Sequence, residues 1–205
     1  MESQREKVSY CIGLQAGTSI KSQFKDIDQN LLERGFHHAI AEMTPDLESE
    51  EINKILKALQ KQVEEQQKVF VEQMSDKNKE EGESFLKENL TKEGVEHLAS
   101  GLQYKVIEEG SGPSPTMHDV VSVHYRGTFI DGRVFDSTHE REQPQEFPVG
   151  RVIPGWSEAI KLMKVGDKWE IYIPSYLAYG ESGYGPQIEP NKTLIFEMEL
   201  LKINS

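Results

Sequence analysis

Apolar side chains recur at two different periods along this chain, and the change of period divides it near its middle. In the first half Val8, Cys11, Ile12 and Leu14 fall at helical spacing, and this first stripe is expected to stop near Gly17. A second stripe runs through Leu32, Phe36, Ala39, Ile40 and Met43 and is closed by Thr44-Pro45. From Ser49 to Leu90 nothing interrupts a helix. Ile52, Leu56, Leu59, Val63, Phe70 and Met74 stand three, four or seven apart, with Gln66 filling the missing step. A helix of about 42 residues would span roughly 60 Å at 1.5 Å per residue. Within it, Ser75 to Ser84 holds no apolar residue except Gly82. That segment has nothing to bury and reads as a solvated stalk, with Gly82 its expected point of bending, since glycine costs about 1 kcal/mol against alanine in a helix.

In the second half the period is two. Val121, Val123 and Tyr125 face one way while Ser122, His124 and Arg126 face the other. Trp169, Ile171 and Ile173 repeat the alternation, as do Leu194, Phe196, Met198 and Leu200. Asp131-Gly132, between Phe129-Ile130 and Arg133-Val134-Phe135, is a hairpin signal. Ser157 to Met163 gives one helical stretch, with Trp156, Ile160 and Met163 on a common face. The fold class is α+β: an all-α N-terminal region and a long connecting helix, then an antiparallel sheet wrapped on one short helix.

Composition sharpens that division. Residues 1–100 hold one of the nine prolines, Pro45, and five of the sixteen glycines; the remainder and both tryptophans lie in residues 101–205. Proline lacks an amide hydrogen and clashes with the preceding helical turn, so its distribution agrees with the periodicities. The expected domains are a helical region at 1–47, a connecting helix at 48–93 and a sheet domain at 94–205. Some 45 residues are too few to close a core unaided. The N-terminal helices, through residues 1–74, therefore either pair with a second copy of the chain or fold back on the C-terminal half. The polar 75–84 stretch argues for the pairing, because it would hold the halves apart.

Lys and Arg number 23 against 35 Asp and Glu, a net charge of −12, which argues against nucleic acid or anionic lipid as a partner. No apolar run approaches the roughly 18 residues of a membrane helix, so no membrane insertion is expected. Met1 to Lys7 lacks the apolar stretch of a secretory leader, and the chain reads as cytoplasmic, or as periplasmic or surface-located if a leader has been trimmed. The single cysteine, Cys11, forms no internal disulfide, and no Cys/His cluster has metal-ligand spacing. No metal or cofactor is expected. There is no Gly-x-Ser-x-Gly elbow, and Gly180-Glu181-Ser182-Gly183-Tyr184-Gly185 has the wrong order for a phosphate loop. What remains is a concentration of aromatic residues in the sheet domain, among them tyrosines suited to the rim of an apolar cleft.

Those aromatic residues stand in five motifs: Val123-His124-Tyr125-x-Gly127; Asp131-Gly132-x-x-Phe135-Asp136-Ser137; Val152-Ile153-Pro154-Gly155-Trp156; Ala178-Tyr179-Gly180; and Thr193 to Leu201. In order and spacing they resemble FKBP-type peptidyl-prolyl cis-trans isomerases over about residues 100–205. Tyr10 to Leu14, Gly35-Phe36, the long helix and Ser100 to Tyr104 resemble the macrophage infectivity potentiator (Mip-like) group of that family and its cytoplasmic bacterial relatives. The resemblance implies a homodimer joined through the N-terminal helices and an enzyme that speeds Xaa-Pro rotation in proline-containing peptides and unfolded proteins. It also implies a chaperone-like folding role, and macrolides such as rapamycin as inhibitors. The alternative is a chaperone or adaptor module that holds clients without catalysis.

By the same resemblance, Trp156 forms the floor under the proline ring, and Tyr125, Phe135, Val152, Ile153 and Phe196 its walls. The Ile153 N–H and the Tyr179 hydroxyl would each bond a substrate carbonyl. Asp136, five residues before Arg141, is the one carboxylate in the slot, read as a structural ion pair at least as readily as a group acting on the amide. Tyr184 and Ile188 would lie on a loop overhanging the cleft, with Phe147 as a supporting aromatic. Gln145, Tyr184 and Glu189 depart from the family's pattern, all at the rim, where they bear on substrate preference and macrolide affinity.

Overall fold

The computed structural model describes residues 3–24, 26–141 and 143–204. These divide into two compact units, Met1–Gln62 and Val63–Ser205. The first is helical. α1 (Gln4–Gln23) opens on a capping box, in which the Ser3 hydroxyl accepts from the Glu6 N–H at 3.2 Å and the Glu6 carboxylate accepts from the Ser3 N–H at 3.3 Å. The stop expected near Gly17 does not occur. Neither Gly13 nor Gly17 takes the positive φ of a C-terminal cap, and the helix ends instead at Phe24, where the backbone becomes extended. α2 (Gln29–Ile40) starts at Asp28, whose carboxylate accepts from the N–H groups of Asn30 and Leu31. Neither helix buries a residue. Ile20, Ile27, Leu32, Phe36 and Ile40 line an open apolar groove of about 620 Å³. α3 (Ser49–Asn89) runs unbroken, and its residues from Val63 onward belong to the second unit.

That second unit is a seven-stranded antiparallel sheet packed on one short helix, in agreement with the expected class. Its strands are β1 (Val95–His97), β2 (Gln103–Glu108), β3 (Val120–Phe129), β4 (Val134–Ser137), β5 (Gln145–Pro148), β6 (Lys168–Ile173) and β7 (Leu194–Asn204). They lie in the order β1-β2-β6-β7-β3-β4, with β5 also pairing β3. β3 is therefore shared: Val120 to Val123 pair with β5 and Arg126 to Thr128 with β4. The edge opens between them, where residues 138–141 leave the sheet. The β3–β4 hairpin turns at Gly132, φ +84°, as Asp131-Gly132 predicts.

α4 (Pro154–Leu162) begins three residues before the expected stretch, because proline suits the first helical position, where its missing N–H would have no partner anyway. A Cβ at Gly155 would lie 2.5 Å from Ile173, so only glycine lets this helix seat on β6. The inward residues of the period-two strands, Val121, Val123, Ile171, Ile173, Leu194, Met198 and Leu200, are fully buried in one core with Ile160 of α4 and Met163 just after it.

The solvated stalk expected at Ser75 to Ser84 is not what the structure contains. Asn78 and Gly82 are buried against the sheet unit, and the helix continues without a break through Gly82. A Cβ at Gly82 would meet the Thr193 hydroxyl at 2.3 Å. Asn78 donates to the Pro190 carbonyl, and Asn191 donates to Ser75 Oγ. Further along, Phe85 packs 6.0 Å from Tyr172, and Asn89 donates to Gln103, whose own amide donates to the Leu86 carbonyl. The contact is made with amides and a glycine, so a count of apolar positions does not register it. The premise that this segment holds the halves of the chain apart falls with it.

Candidate active site

The inward face of β3 places Tyr125 beside Phe196 of β7 and Phe135 of β4, and the first turn of α4 brings Trp156 beneath them. Trp156 is 5% exposed. Three aromatic rings meet it nearly at right angles: Tyr125 at 4.9 Å and 77°, Phe196 at 5.0 Å and 82°, and Phe147 of β5 at 5.2 Å and 89°. Phe135 meets Phe196 at 5.5 Å and 89°. Edge-to-face contacts set the positive ring edges against negative faces, and each adds about 0.5–1.5 kcal/mol beyond area burial, so the cluster is held by specific geometry as well as by apolar contact. The backbone at Gly127 makes it possible, since a Cβ there would come within 2.6 Å of Phe135 and 2.9 Å of Phe196.

Above this cluster opens a cleft of about 730 Å³. It brings together Tyr125, Phe135, Asp136, Arg141, Phe147, Val152, Ile153, Trp156, Tyr179, Tyr184 and Phe196, eleven of the twelve residues singled out in the sequence. Ile188 is the one of the twelve it does not include. That side chain is 4% exposed, packed in the core, while its backbone pairs with Tyr184 in both directions and so holds the Tyr184 turn. Glu189, expected at the rim, does not line the cleft either but lies against α3, where its carboxylate accepts from Asn78. Gln143, Pro144, Gln145 and Arg151 complete the lining. Of these only Gln145 attracted notice in the sequence. The others lie in segments with no periodicity: Gln143 and Pro144 just before β5, and Arg151 between β5 and α4.

One polar edge interrupts the apolar wall. The Tyr125 hydroxyl donates to Asp136 Oδ2, and Arg141 donates from Nη1 to Asp136 Oδ1 at 2.8 Å and from Nη2 to the Tyr125 oxygen at 3.2 Å. Burial, and then the bond to Asp136, pushes the Tyr125 hydroxyl up to about 12. Burial also raises the Asp136 carboxyl, but the bonds from Tyr125 and Arg141 and the guanidinium charge outweigh it and hold it below the usual carboxylate range. Asp136 is thus an ionised acceptor already occupied by two donors. The Tyr179 ring lies 5.0 Å from that of Tyr184, and burial raises its hydroxyl's pKa. The Ile153 carbonyl accepts from Ser157 at the start of α4, while the Ile153 N–H and the Tyr179 hydroxyl bond no group among the described residues. Among those residues no cluster of three or more His, Cys, Asp or Glu forms a metal-binding group, and no helix is long and apolar enough to cross a membrane.

Residues 112–201 match the family model for FKBP-type peptidyl-prolyl cis-trans isomerase, and residues 5–106 match that for the domain amino terminal to it. The chain is 42% identical over 198 residues to the FKBP-type 22 kDa peptidyl-prolyl cis-trans isomerase of Escherichia coli K12, covering 96% of this chain and 94% of that one. It is 38% identical to the peptidyl-prolyl cis-trans isomerase Mip of Coxiella burnetii, covering 99% and 88%, and 39% identical to the outer membrane protein MIP of Legionella longbeachae, covering 99% and 87%. The crystal structure of FkpA from Escherichia coli superposes with a TM-score of 0.79 at 34% identity, covering 100% of this chain and 98% of that one. The two family models together span most of the chain, and relatives about 40% identical over nearly its full length carry the same name: the chain belongs to the FKBP-type peptidyl-prolyl cis-trans isomerase family, in its Mip-like group.

Proposed function

We propose that this isomerase turns Xaa-Pro bonds in the cleft over Trp156. The barrier, roughly 18–20 kcal/mol, comes from conjugation of the amide nitrogen with its carbonyl. Water stabilises the planar, charge-separated amide, so transfer into an apolar slot favours the twisted form, in which conjugation is lost. In this reading Trp156 carries the proline ring, and Tyr125, Phe135, Val152, Ile153 and Phe196 exclude water around it. The Ile153 N–H and the Tyr179 hydroxyl take substrate carbonyls, which fixes the peptide on either side of the rotating bond. Phe147 supports the floor, and Arg141 with Asp136 holds Tyr125 in place. Tyr184 covers the outer side, with Ile188 beneath it. No proton moves and no covalent bond forms. The observation that carries the reading is the packed aromatic floor beside two hydrogen-bond donors, the Ile153 N–H and the Tyr179 hydroxyl, that bond no group among the described residues.

The test is cis/trans exchange of an Ala-Leu-Pro-Phe peptide with and without rapamycin. Macrolides that fill an aromatic cleft of this kind are expected to compete. Acceleration should be abolished by rapamycin and reduced by about tenfold or more in Trp156→Leu, which empties the floor, and less in Tyr179→Phe, which removes one bond. Native acceleration in both variants would place the reaction elsewhere.

The wider organisation belongs to the same proposal. Residues 1–47 and the following helix through residue 74 join two copies, residues 48–93 connect, and residues 94–205 catalyse. The uncovered apolar faces of α1 and α2 support the pairing. Two clefts in one dimer would hold an unfolded client by avidity, which gives a folding-helper role alongside catalysis. The cytoplasmic location expected from the residues stands beside a relative named an outer membrane protein. Cell fractionation decides it: isomerase released by osmotic shock would overturn the cytoplasmic reading.

A further inference from the structure

The tyrosine wall of the cleft stands on one loop, between β6 and β7. Three backbone bonds close that loop on itself: Asn191 N–H to the Gly180 carbonyl at 2.8 Å, Tyr184 N–H to the Ile188 carbonyl at 2.8 Å, and Ile188 N–H to the Tyr184 carbonyl at 3.1 Å. On the inner side Ile188 anchors it in the core. On the outer side, Glu189 to Thr193 lie against α3. There Asn78, 3% exposed, donates from one amide nitrogen to the Pro190 carbonyl at 2.9 Å and to Glu189 Oε2 at 3.2 Å. One turn earlier Ser75 Oγ accepts from Asn191 at 2.8 Å, and one turn later Gly82 leaves room for Thr193. An apolar contact would let the loop slide along the helix. Directional bonds from one buried amide to two acceptors fix its height and its distance.

We propose that Asn78 is a positioning residue of the isomerase site: through Pro190 and Glu189 it sets where the Tyr184 turn, and with it the tyrosine wall, stands over the cleft. The second half of α3 is then part of the substrate-binding apparatus. This rests on reading the cleft over Trp156 as the isomerase site, and it concerns binding of the peptide rather than rotation of its bond.

Asn78→Asp in the full-length chain tests it. The replacement keeps the shape but turns a donor into a carboxylate facing two acceptors, one of them the Glu189 carboxylate. The charged groups around that point are Glu189 and Lys192 of the loop, Asp131 and Arg133 of the β3–β4 turn, and Lys77 and Glu81 of α3. Two carboxyl groups in contact hold a proton between them above the normal carboxylate range, and a protonated carboxyl regains one donor. Exchange spectroscopy on the Ala-Leu-Pro-Phe peptide gives KM and kcat separately. At pH 7 Asn78→Asp should raise KM about fivefold to tenfold and leave kcat within about twofold. As pH falls toward 5, KM should return toward the native value, while native KM stays level over the same range. Ser75→Ala, which removes only the neighbouring bond, should raise KM about twofold, and it serves as the variant of record if Asn78→Asp does not fold.

Unchanged KM in the folded variant overturns the proposal. So does a fall in kcat and melting temperature together without recovery in acid, because that is general loosening. Trp156→Leu, run alongside, separates the two readings. If it lowers kcat/KM while Asn78→Asp behaves as native, the positioning role alone fails; if Trp156→Leu is itself native, the assignment of the cleft fails first.

Discussion

Tyr125 holds the apolar floor and the polar edge of the cleft with one side chain: its ring meets Trp156 at 4.9 Å and its hydroxyl donates to Asp136. The two groups titrate far from neutrality, in opposite directions. Asp136 has a folded pKa below its unfolded value of 3.8, so the stability it contributes is present above that value and is lost as pH falls through the lowered one. Tyr125 has a folded pKa of about 12 against 10.0 unfolded, so its contribution is complete below 10 and is lost as pH rises toward 12. Between about pH 5 and 9 neither group changes state, and kcat/KM is expected to be level across that range. A bell-shaped profile centred near pH 7 would contradict this, by putting a titrating histidine into a reaction that needs none. At this scale the sequence was informative where side chains alternate along strands. Tyr125 and Phe196 follow the period of two, Trp156 follows the face it shares with Ile160 and Met163, and Phe135 follows the Asp131-Gly132 hairpin signal. Gln143, Pro144 and Arg151 follow no period. Ile188 sits on a loop in the sequence and in the core in the structure, and a single apolar residue in a loop carries no period that would mark it as buried.

Among the elements, α3 shows how a legible pattern can be misread. Asn78, Gly82, Phe85 and Asn89 stand four, three and four apart, the spacing of a buried helical face, but only one of the four is an apolar side chain. The stripe was there to be seen, in amides and a glycine instead of leucines. The long helix itself, β3, β6, β7 and the β3–β4 hairpin were each legible, since propensity and period agree in them. The short strands β1, β2 and β5 show too little alternation to be read, and the end of α1 was not legible because glycine stops a helix only where φ turns positive. Gly82→Ala separates helix propensity from packing. Propensity alone makes the change stabilising by about 1 kcal/mol. The methyl group would lie 2.3 Å from the Thr193 hydroxyl and 3.2 Å from Thr193 Cβ, in a wall that cannot yield without moving the start of β7. Overpacking of this kind costs about 1–3 kcal/mol, so the expected net effect in urea denaturation is a loss of stability. Thr193→Ala on that background should recover part of it. A more stable Gly82→Ala protein would mean that this face of α3 is free in solution.

For the whole molecule, the question is what covers the N-terminal unit. Phe36 is 48% exposed, Ile40 71% and Leu31 63%, and a helical unit that buries none of α1 or α2 has no core of its own. The proposed dimer supplies one. Sedimentation equilibrium should then return twice the 23.4 kDa of the chain. Phe36→Glu with Ile40→Glu places two charges on the apolar groove between α1 and α2, where pairing would bury them unpaired, and the expected product is a monomer. The cleft lies entirely within Val63–Ser205, so the tetrapeptide should still be turned over within about twofold of the native rate. A protein whose refolding is limited by proline isomerisation is a different substrate, because it can engage two clefts at once. Linking two weak sites raises apparent affinity by about 10²- to 10⁴-fold when both can be reached, so refolding catalysis by the monomer should fall by about tenfold or more at low enzyme concentration. A monomer that refolds the protein substrate as well as the native dimer would show that each cleft works alone, and the holding role would then have no basis in the pairing of the chains.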